Sequence, residues 1–392
     1  MLVIRDTSAL ADLCNRLAAA DYVTVDTEFM RERTYWPKLC LVQVAGPEDV
    51  AVIDALSPDL DLAPLSALMV NEQVLKVFHA ARQDIEIFFH LSGRVPTPIF
   101  DTQVAAMVCG FGESVAYDTL AAKLANARID KSSRFTDWSH RPLTDKQLQY
   151  ALADVTHLRT AYERIAKRLA ETGRADWLGE EMAVLTSPST YDIEPRNAWQ
   201  RIRTRSTGPR FLALLRELAA WREEEARRRD VPRPRILRDE SLAEIAAHPP
   251  ATPEALARMR GLGRDVAFGA LGRGILAAVE RAQALPDSEC PAQERREALP
   301  GGLAPVVELL RVLLRMKSEA SDVAPRLIAS GDDLEMIAAS DEARVPCLSG
   351  WRREIFGESA LALKHGQLAL TVTGRRVHLV PINETDRKKA VS

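Results

Sequence analysis

Along the first 170 residues, short apolar runs alternate with stretches of helical periodicity. The apolar runs are β-branched or alternating and are bounded by turn residues, which predicts strands. The longest helical stretch begins after Thr144, a suitable N-cap, and ends before Gly173. This alternation predicts an α/β domain whose first three strands form an antiparallel meander. The predicted strands are 22–28, 39–44, 50–53 and 75–78, and the predicted helices are 62–70, 82–91, 102–109, 119–125 and 144–171.

Beyond residue 205 the strand pattern nearly disappears, and a helical pattern occurs twice. The run 234–237 leads to an apolar helix at 242–247, and the run 325–328 leads to a similar helix at 334–339, offset by 91 to 92 residues. A repeat of this length predicts two homologous all-helical domains. The alternative is a coincidence between two alanine-rich helices. A long predicted helix precedes each copy, at 211–228 and at 305–319.

A chain of 392 residues exceeds what one hydrophobic core usually organises, so several domains are expected. Residues 367–381 alternate as a β-hairpin does, and such a hairpin would cap the last domain. The predicted segments are an α/β domain at 1–182, a linker at 183–207, a first helical domain at 208–288, a second helical domain at 300–373 and a tail at 374–392.

The net charge of −3 conceals an arginine-rich segment at 196–238. This segment holds thirteen Arg, no Lys and five acidic residues, and the chain on either side of it is acidic overall. Such a band matches the footprint of a protein that binds a phosphate backbone, with Arg201, Arg203 and Arg205 as candidate RNA contacts. The alternative is a solvated helix face, since charges at 222–227 recur at the spacing of one helical turn.

Composition limits the class of protein further. The apolar stretches fall far short of the roughly 18 consecutive residues that a membrane span requires, so we expect no membrane crossing. The N-terminal residues 1–12 lack the basic flank and apolar core of a secretory signal, which predicts a cytoplasmic location. Five scattered cysteines predict neither disulfides nor a zinc site. No feature of the repeats indicates a symmetric interface, and a monomer is expected.

Asp26 and Glu28 lie two residues apart on a predicted strand, so their side chains project from the same face toward one point. A surface strand end with solvated acids would show the same spacing. The run at 22–25, however, predicts a buried strand, and charge at the end of a buried strand is costly unless it is paired or binds a metal ion. The pair is therefore a candidate metal site.

Two further acids fit such a site. Asp84 falls in the first turn of a predicted helix, where the helix dipole alone could also favour an acid. Tyr150 and Asp154 lie one turn apart on one face of the long predicted helix, within an apolar stretch. Hard oxygen ligands without a Cys or His cluster suit Mg²⁺ or Mn²⁺, and two such ions can stabilise an in-line phosphoryl displacement.

These residues resemble a known family. The motifs Asp26-Thr27-Glu28-Phe29, His79-Ala80-x-x-x-Asp84 and Tyr150-x-x-x-Asp154 resemble, in order and spacing, the three exonuclease motifs of the tyrosine branch of the DEDD superfamily. The helical half resembles the HRDC domain, present twice, with Met259-Arg260-Gly261 in the first copy and Leu348-Ser349-Gly350 in the second. An exonuclease followed by HRDC domains is the architecture of the ribonuclease D family.

The resemblance implies a ribonuclease H-like mixed sheet with flanking helices, and a 3′→5′ exonuclease that uses two divalent cations, Mg²⁺ or Mn²⁺. It implies that Asp26 bridges the two ions, that Glu28 and Asp154 hold the ion that activates water, and that Asp84 supports the other ion. Tyr150 would position the attacking water. Phe29 is a candidate for stacking on a terminal base, with core packing as the alternative; His79 and Asp101 lie in or beside the motifs without an assigned role.

The function expected from this resemblance is a metal-dependent exoribonuclease that releases 5′-mononucleotides from RNA 3′ ends, with transfer-RNA precursors as substrates. Two alternatives stay open at this point. One is a 3′→5′ DNA exonuclease, because the acids do not read the 2′-hydroxyl that separates RNA from DNA. The other is a nucleic-acid-binding scaffold in which the helical repeats matter and hydrolysis does not.

Overall fold

The N-terminal part of the chain is built on a six-stranded sheet with the strand order β1-β4-β3-β2-β5-β6. The computed structural model describes residues 2–192, 194–204, 206–292 and 300–382. The strands of this sheet are β1 (Leu2–Ile4), β2 (Tyr22–Met30), β3 (Lys38–Ala45), β4 (Val50–Ile53), β5 (Leu75–Phe78) and β6 (Ile99–Asp101). The α-helices described around it are α1 (Thr7–Leu17), α2 (Ala63–Met69), α3 (Arg82–Ser92), α4 (Thr102–Val108), α5 (Tyr117–Ala125), α6 (Asp145–Thr172) and α7 (Gly179–Thr186).

Strand β2 lies near the centre of the sheet and sets its mixed character. It pairs antiparallel with β3 and parallel with β5, and β3 pairs antiparallel with β4. The antiparallel meander predicted from the sequence is therefore confirmed. Because β5 runs parallel to β2, the helix after β5 begins at the sheet edge where β2 carries its acidic residues.

Helix α6 crosses the sheet and carries Tyr150 and Asp154, the last of the three predicted motifs. Thr144 caps it with a capping box, since its side chain accepts a hydrogen bond from the Gln147 N–H and the Gln147 side chain accepts one from the Thr144 N–H. Gly173 ends it in the left-handed region, at φ 66°. The Thr24 hydroxyl donates to the Val155 carbonyl at 2.8 Å, which fixes the middle of α6 against β2.

The rest of the chain is helical, as predicted, with a hairpin at its end. Its α-helices are α8 (Pro209–Arg229), α9 (Arg233–Ile236), α10 (Asp239–Ala247), α11 (Pro253–Ala257), α12 (Arg264–Phe268), α13 (Ala270–Ala284), α14 (Ala304–Ser321), α15 (Pro325–Ile328), α16 (Gly331–Ala339), α17 (Gly350–Arg352) and α18 (Glu358–Lys364). Strands β7 (Leu368–Thr373) and β8 (Arg376–Pro381) form the predicted hairpin. The hairpin spans the predicted boundary between the second helical domain and the tail.

The helical half repeats its order of helices. Helix α8 ends at Arg229 and α14 ends at Ser321, 92 residues later, and the pairs α9 with α15 and α10 with α16 keep the same offset. Both long helices are followed by an aspartate in the left-handed region, Asp230 and Asp322. We refer to α8–α13 as the first helical domain and to α14–α18 as the second. That the second is an HRDC domain stays a prediction.

Each helical domain packs against the α/β domain. Tyr35, in the loop after β2, is buried in the core of the first helical domain, where its hydroxyl donates to Glu223 and accepts from Arg233 at 3.0 Å. On the second helical domain, Trp351 stacks on Trp177, with ring centroids 4.4 Å apart and an interplanar angle of 4°. The two helical domains thus contact the α/β domain at two separate places.

The segment 183–207, predicted as a linker, is packed onto its neighbours where the structure describes it. Tyr191 is buried in the sheet-side core, and Ala198 and Ile202 are buried in the core of the first helical domain. A 3-10 helix, Pro195–Arg201, carries Ala198. Among the helices the structure describes, none combines the length and the apolar character that a membrane span needs.

Candidate active site

Three of the predicted acids meet at one point. Asp26 and Glu28 project from the same face of β2, and α6 brings Asp154 beside them. One carboxylate oxygen from each of the three lies within 4.8 Å of the others. Residues that are more than 120 positions apart in the chain are therefore close enough to share a cation.

Asp84 lies next to this group but is not part of it. It is buried in the first turn of α3, and the Thr27 hydroxyl donates to its carboxylate. Thr27 stands between Asp26 and Glu28 on β2, so the strand itself holds the fourth acid beside the other three. Asp84 also raises the pKa of Glu28 through its negative charge, which shows how close the four acids are.

The turn that carries Asp84 is fixed by Asp101, a residue left without a role above. The Asp101 carboxylate accepts backbone N–H groups of Ala80 at 3.0 Å and Ala81 at 2.9 Å, and it caps α4 by accepting from Gln103 at 2.8 Å. Ala80 is in the left-handed region at φ 59°, which costs a residue with a side chain about 1 to 2 kcal/mol. Three hydrogen bonds to one buried carboxylate hold this turn in place.

The four acids repel one another. Burial and the neighbouring charges raise the pKa of Glu28 to about 10, and burial and Asp26 raise the pKa of Asp154 to about 8. Burial raises the pKa of Asp26 to about 6, and burial and Asp26 raise the pKa of Asp84 well above its usual value. Arg134 opposes the rise at Glu28 and Asp154, but a single cation does not balance four carboxylates.

This donor set fits divalent cations. The Asp154 Oδ1 atom is buried and has no hydrogen-bond partner among the described residues, which leaves a carboxylate oxygen free to bind a metal ion. Closely spaced carboxylates without thiols or imidazoles are the ligands that Mg²⁺ and Mn²⁺ prefer. Divalent cations bound here would supply the positive charge that Arg134 alone does not provide.

Two tyrosines stand beside the acids. Tyr150 lies one turn before Asp154 on α6, and burial together with the charges of Asp154 and Glu28 raises the pKa of its phenol. Tyr117, at the start of α5, donates from its hydroxyl to the backbone carbonyl of Asp154 at 2.5 Å. The sequence pointed to Tyr150; Tyr117 was missed because only the fold brings α5 against α6.

A cavity of about 1060 Å³ opens above the acids, and we call it the catalytic cavity. Basic and aromatic side chains line it together with the acids: Arg31, Arg33, Lys38, Lys131, Arg134 and Phe135. Phe135 is 90% exposed, and the Arg134 guanidinium lies 5.2 Å from its ring centroid. These loop residues were not singled out from the sequence, although basic residues beside an aromatic one are a signal of nucleic-acid binding.

The predicted RNA contacts fall in different places. Phe29 packs partly against the sheet core and also lines the catalytic cavity, so both of its suggested roles fit its position. Arg201 and Arg203 are exposed, and neither forms an ion pair with a described residue. Arg205 lies outside the described residues.

Many other arginines of the 196–238 segment are paired, as in the solvated-face alternative. Arg222 pairs with Asp239, Arg228 and Arg229 pair with Glu225, and Arg233 pairs with Glu223. The charge count of the segment therefore overstates the number of arginines that are free to bind phosphate.

Comparison with known proteins identifies the family. A family profile described as 3′-5′ exonuclease matches residues 1–170, and the HRDC domain profile matches residues 211–279. Proteins named ribonuclease D are similar along nearly the whole chain: that of Granulibacter bethesdensis is 53% identical over 96% of both chains, and that of Nitrobacter hamburgensis is 55% identical over 96% of this chain and 98% of its own. The chain belongs to the ribonuclease D family.

The solved structures agree with this assignment. The crystal structure of Escherichia coli RNase D, described as an exoribonuclease involved in structured RNA processing, is 30% identical. The structural match covers 93% of this chain and 98% of the E. coli chain, with a TM-score of 0.79. As a member of this family, the protein is a metal-dependent 3′→5′ exoribonuclease. The predictions of the enzyme class and of an exonuclease domain followed by a helical HRDC domain are confirmed, whereas a second HRDC domain stays a prediction. The DNA exonuclease and scaffold alternatives receive no support from the family.

Proposed function

We propose that the protein removes 5′-mononucleotides one at a time from the 3′ ends of structured RNAs, with transfer-RNA precursors as its substrates. The observation that carries the proposal is the gathering of Asp26, Glu28 and Asp154 around one point, with a buried Asp154 oxygen that lacks a partner. Asp84 and Tyr150 complete the set. The description of the E. coli relative as an enzyme of structured RNA processing supports this substrate class.

In this proposal Asp26, Glu28, Asp84 and Asp154 hold two divalent cations, Mg²⁺ or Mn²⁺. The cations supply Lewis acidity that stabilises the charge on the attacking and leaving oxygens of the phosphodiester. Tyr150 orients the attacking water through its hydroxyl, which is protonated near neutrality as in any tyrosine, and its raised pKa extends this range to higher pH. Tyr117 fixes the position of α6 at Asp154 through its hydrogen bond to the Asp154 backbone carbonyl.

The rim of the catalytic cavity holds the end of the strand. Phe135 offers an exposed ring on which a terminal base can stack, and base stacking on an aromatic side chain contributes about 1 to 3 kcal/mol. Arg134 lies between this ring and the acids, where its charge can bind a phosphate oxygen of the terminal nucleotide. Phe29 lines the same cavity from the strand side. The protein acts as a monomer in the cytoplasm in this proposal.

The test is Mn²⁺-dependent release of mononucleotides from a 3′-extended transfer RNA, beside a single-stranded DNA of equal length. We expect release from the RNA, little release from the DNA, and a loss of at least about a thousandfold in kcat in Asp26→Asn. Asp145→Asn, an acid exposed on the first turn of α6, is the matched control and is expected to keep full activity. DNA-selective release, or normal turnover by Asp26→Asn, would overturn the proposal.

A further inference from the structure

A second cavity, of about 570 Å³, lies where the α/β domain meets the first helical domain, and we call it the junction cavity. Its wall comes from the loop after β2, from the 3-10 helix Pro195–Arg201 and from the chain between α8 and α10. Arg31 and Thr34 line both this cavity and the catalytic cavity. The two cavities therefore adjoin across these two residues.

The junction cavity carries an excess of positive charge. Its lining contains five arginines and three acids. Two of the acids, Glu223 and Asp239, form ion pairs with lining arginines, which leaves Glu240 as the third. Arg201 and Arg238 are exposed and form no ion pair or side-chain hydrogen bond with any residue that the structure describes. Their guanidinium groups are free to bind an anion.

Arg222 is a third arginine in the wall of the junction cavity. Arg222 is 4% exposed, and its Nε is buried without a hydrogen-bond partner among the described residues. Its Nη1 donates to Asp239 at 2.6 Å and to the Leu237 carbonyl at 2.9 Å, but the Asp239 side chain is 54% exposed. Because Asp239 neutralises the charge of Arg222, the contribution of Arg222 to the cavity wall is this buried N–H donor, for which an anion would be a suitable acceptor.

We propose that the junction cavity binds the phosphate backbone of the RNA strand that is being degraded, on the 5′ side of the scissile bond. The inference rests on the proposed function, which puts the 3′ end at the catalytic acids. The strand must leave the catalytic cavity, and the junction cavity, which shares Arg31 and Thr34 with it and is lined by Arg201 and Arg238, is the adjoining basic surface. Guanidinium groups bind phosphate oxygens in a fork geometry without reading the sequence of bases.

The binding would give the first helical domain a direct part in substrate affinity. Only an RNA long enough to pass Arg31 reaches the junction cavity, so KM should fall as the RNA lengthens. The chemistry at the 3′ end does not involve these arginines. Their loss is therefore expected to act on KM for long strands and not on the cleavage step.

The experiment measures kcat and KM for single-stranded RNAs of increasing length, with the full-length protein and Mn²⁺. In the wild type we expect KM to fall once the strand reaches the cavity. In the Arg201→Gln, Arg238→Gln double variant this fall is expected to disappear, which raises KM for the longest RNA about tenfold. Two lost phosphate contacts should also reduce the salt dependence of binding by about 1.4 units of the log–log slope, since each contact to a single strand contributes about 0.7. Arg235→Gln, an exposed arginine of α9 outside the cavity, is the matched control and should keep the wild-type length dependence.

Each outcome is decisive. A KM that falls with length equally in the wild type and the double variant would overturn the inference and leave the proposed function standing. Inhibition by a free nucleoside 5′-monophosphate that the double variant loses, without a length effect, would assign the cavity to a free nucleotide and also overturn it. Absence of mononucleotide release from RNA of every length by the wild type would instead defeat the proposed function itself.

Discussion

The acids of the active site oppose the stability of the protein that carries them. Four carboxylates lie together, their pKa values are raised by burial and mutual repulsion, and Arg134 is the cation that offsets part of this effect. A buried, uncompensated charge destabilises the folded state by several kcal/mol unless a counter-charge binds. The metal-free enzyme should therefore gain stability from the same substitution that removes its activity.

Glu28→Gln tests this conflict at a single residue. We expect kcat to fall by at least about a thousandfold, because one of the proposed metal ligands is lost. We also expect the metal-free variant to be more stable than the metal-free wild type by about 1 kcal/mol or more, because at neutral pH the Glu28 carboxyl, whose pKa is raised to about 10, must take up a proton on folding and the amide need not. Thermal unfolding in a chelator measures the second effect. Glu48→Gln, in the exposed turn between β3 and β4 and outside the catalytic cavity, should change neither quantity, and a destabilised Glu28→Gln would contradict the argument.

Substitution of Phe135 tests RNA binding without changing the stability of the protein. Because its ring is 90% exposed, Phe135→Ala should leave the free energy of unfolding unchanged within about 0.5 kcal/mol. The loss of base stacking should raise KM for RNA by about fivefold to a hundredfold, corresponding to 1 to 3 kcal/mol. Phe135→Tyr keeps a stacking surface and should behave like the wild type. An unchanged KM in Phe135→Ala would show that the ring does not contact RNA.

At the scale of elements, the turn between β5 and α3 links the sheet to the chemistry. Asp101→Ala removes one acceptor from three backbone N–H groups and frees the turn in which Ala80 is left-handed. We expect a loss of about 2 to 4 kcal/mol in stability, measured by denaturant unfolding, together with a reduced kcat because Asp84 follows this turn. Asp101→Asn keeps one oxygen acceptor and should lose less of both. Full activity in Asp101→Ala would show that Asp84 does not need the turn.

Elements with a clear period were predicted from the sequence, and short ones were not. The bounds of β4 and β5 match their predicted ranges, and α6 starts after the predicted cap. By contrast, β1 and β6 are three residues long, too few to show an alternation. Helix α1 was also missed, although Asp6 caps it by accepting from the Ala9 N–H. Length therefore explains the two missed strands but not α1, whose 11 residues include a buried face.

The site was predictable to the extent that its residues share an element. Asp26 and Glu28 follow from strand alternation, and Tyr150 and Asp154 follow from the helical turn. Arg134 follows a short 3-10 helix, Lys131–Ser133, that shows no period in the sequence, and only the fold brings its charge near Glu28 and Asp154. The sequence shows that Arg134 is a basic residue but not which residues lie near it in space, so only the structure relates it to the site.

For the molecule as a whole, the contact of Tyr35 with Glu223 and Arg233 attaches the first helical domain to the α/β domain. Glu223 is fully buried, which opposes its ionisation, but hydrogen bonds from Arg233 and Tyr35 outweigh that effect and lower its pKa. A carboxylate whose pKa is lower in the folded state stabilises the fold above its unfolded pKa of about 4.3, and the stability is lost as pH falls through the folded value.

Glu223→Gln should therefore destabilise the protein at neutral pH, and the difference from the wild type should shrink as the pH falls below about 4. Thermal unfolding of both proteins across this range measures the effect. At pH 7 we expect a loss of about 2 kcal/mol, because half-buried Arg233 would lose its counter-charge. Glu224→Gln, the exposed neighbour on α8, serves as the control and should be neutral. A loss independent of pH would rule out the ionised contact.

The stacked pair of Trp177 and Trp351 has a consequence for how the assembly of the domains can be followed. Two indole rings at 4.4 Å and nearly parallel absorb light as coupled chromophores, whereas rings in separated domains absorb independently. Docking of the second helical domain therefore carries its own optical signal, an exciton couplet of the two indoles in far-ultraviolet circular dichroism. The native chain contains a probe that reports whether its domains are joined, and no added label is needed to read it.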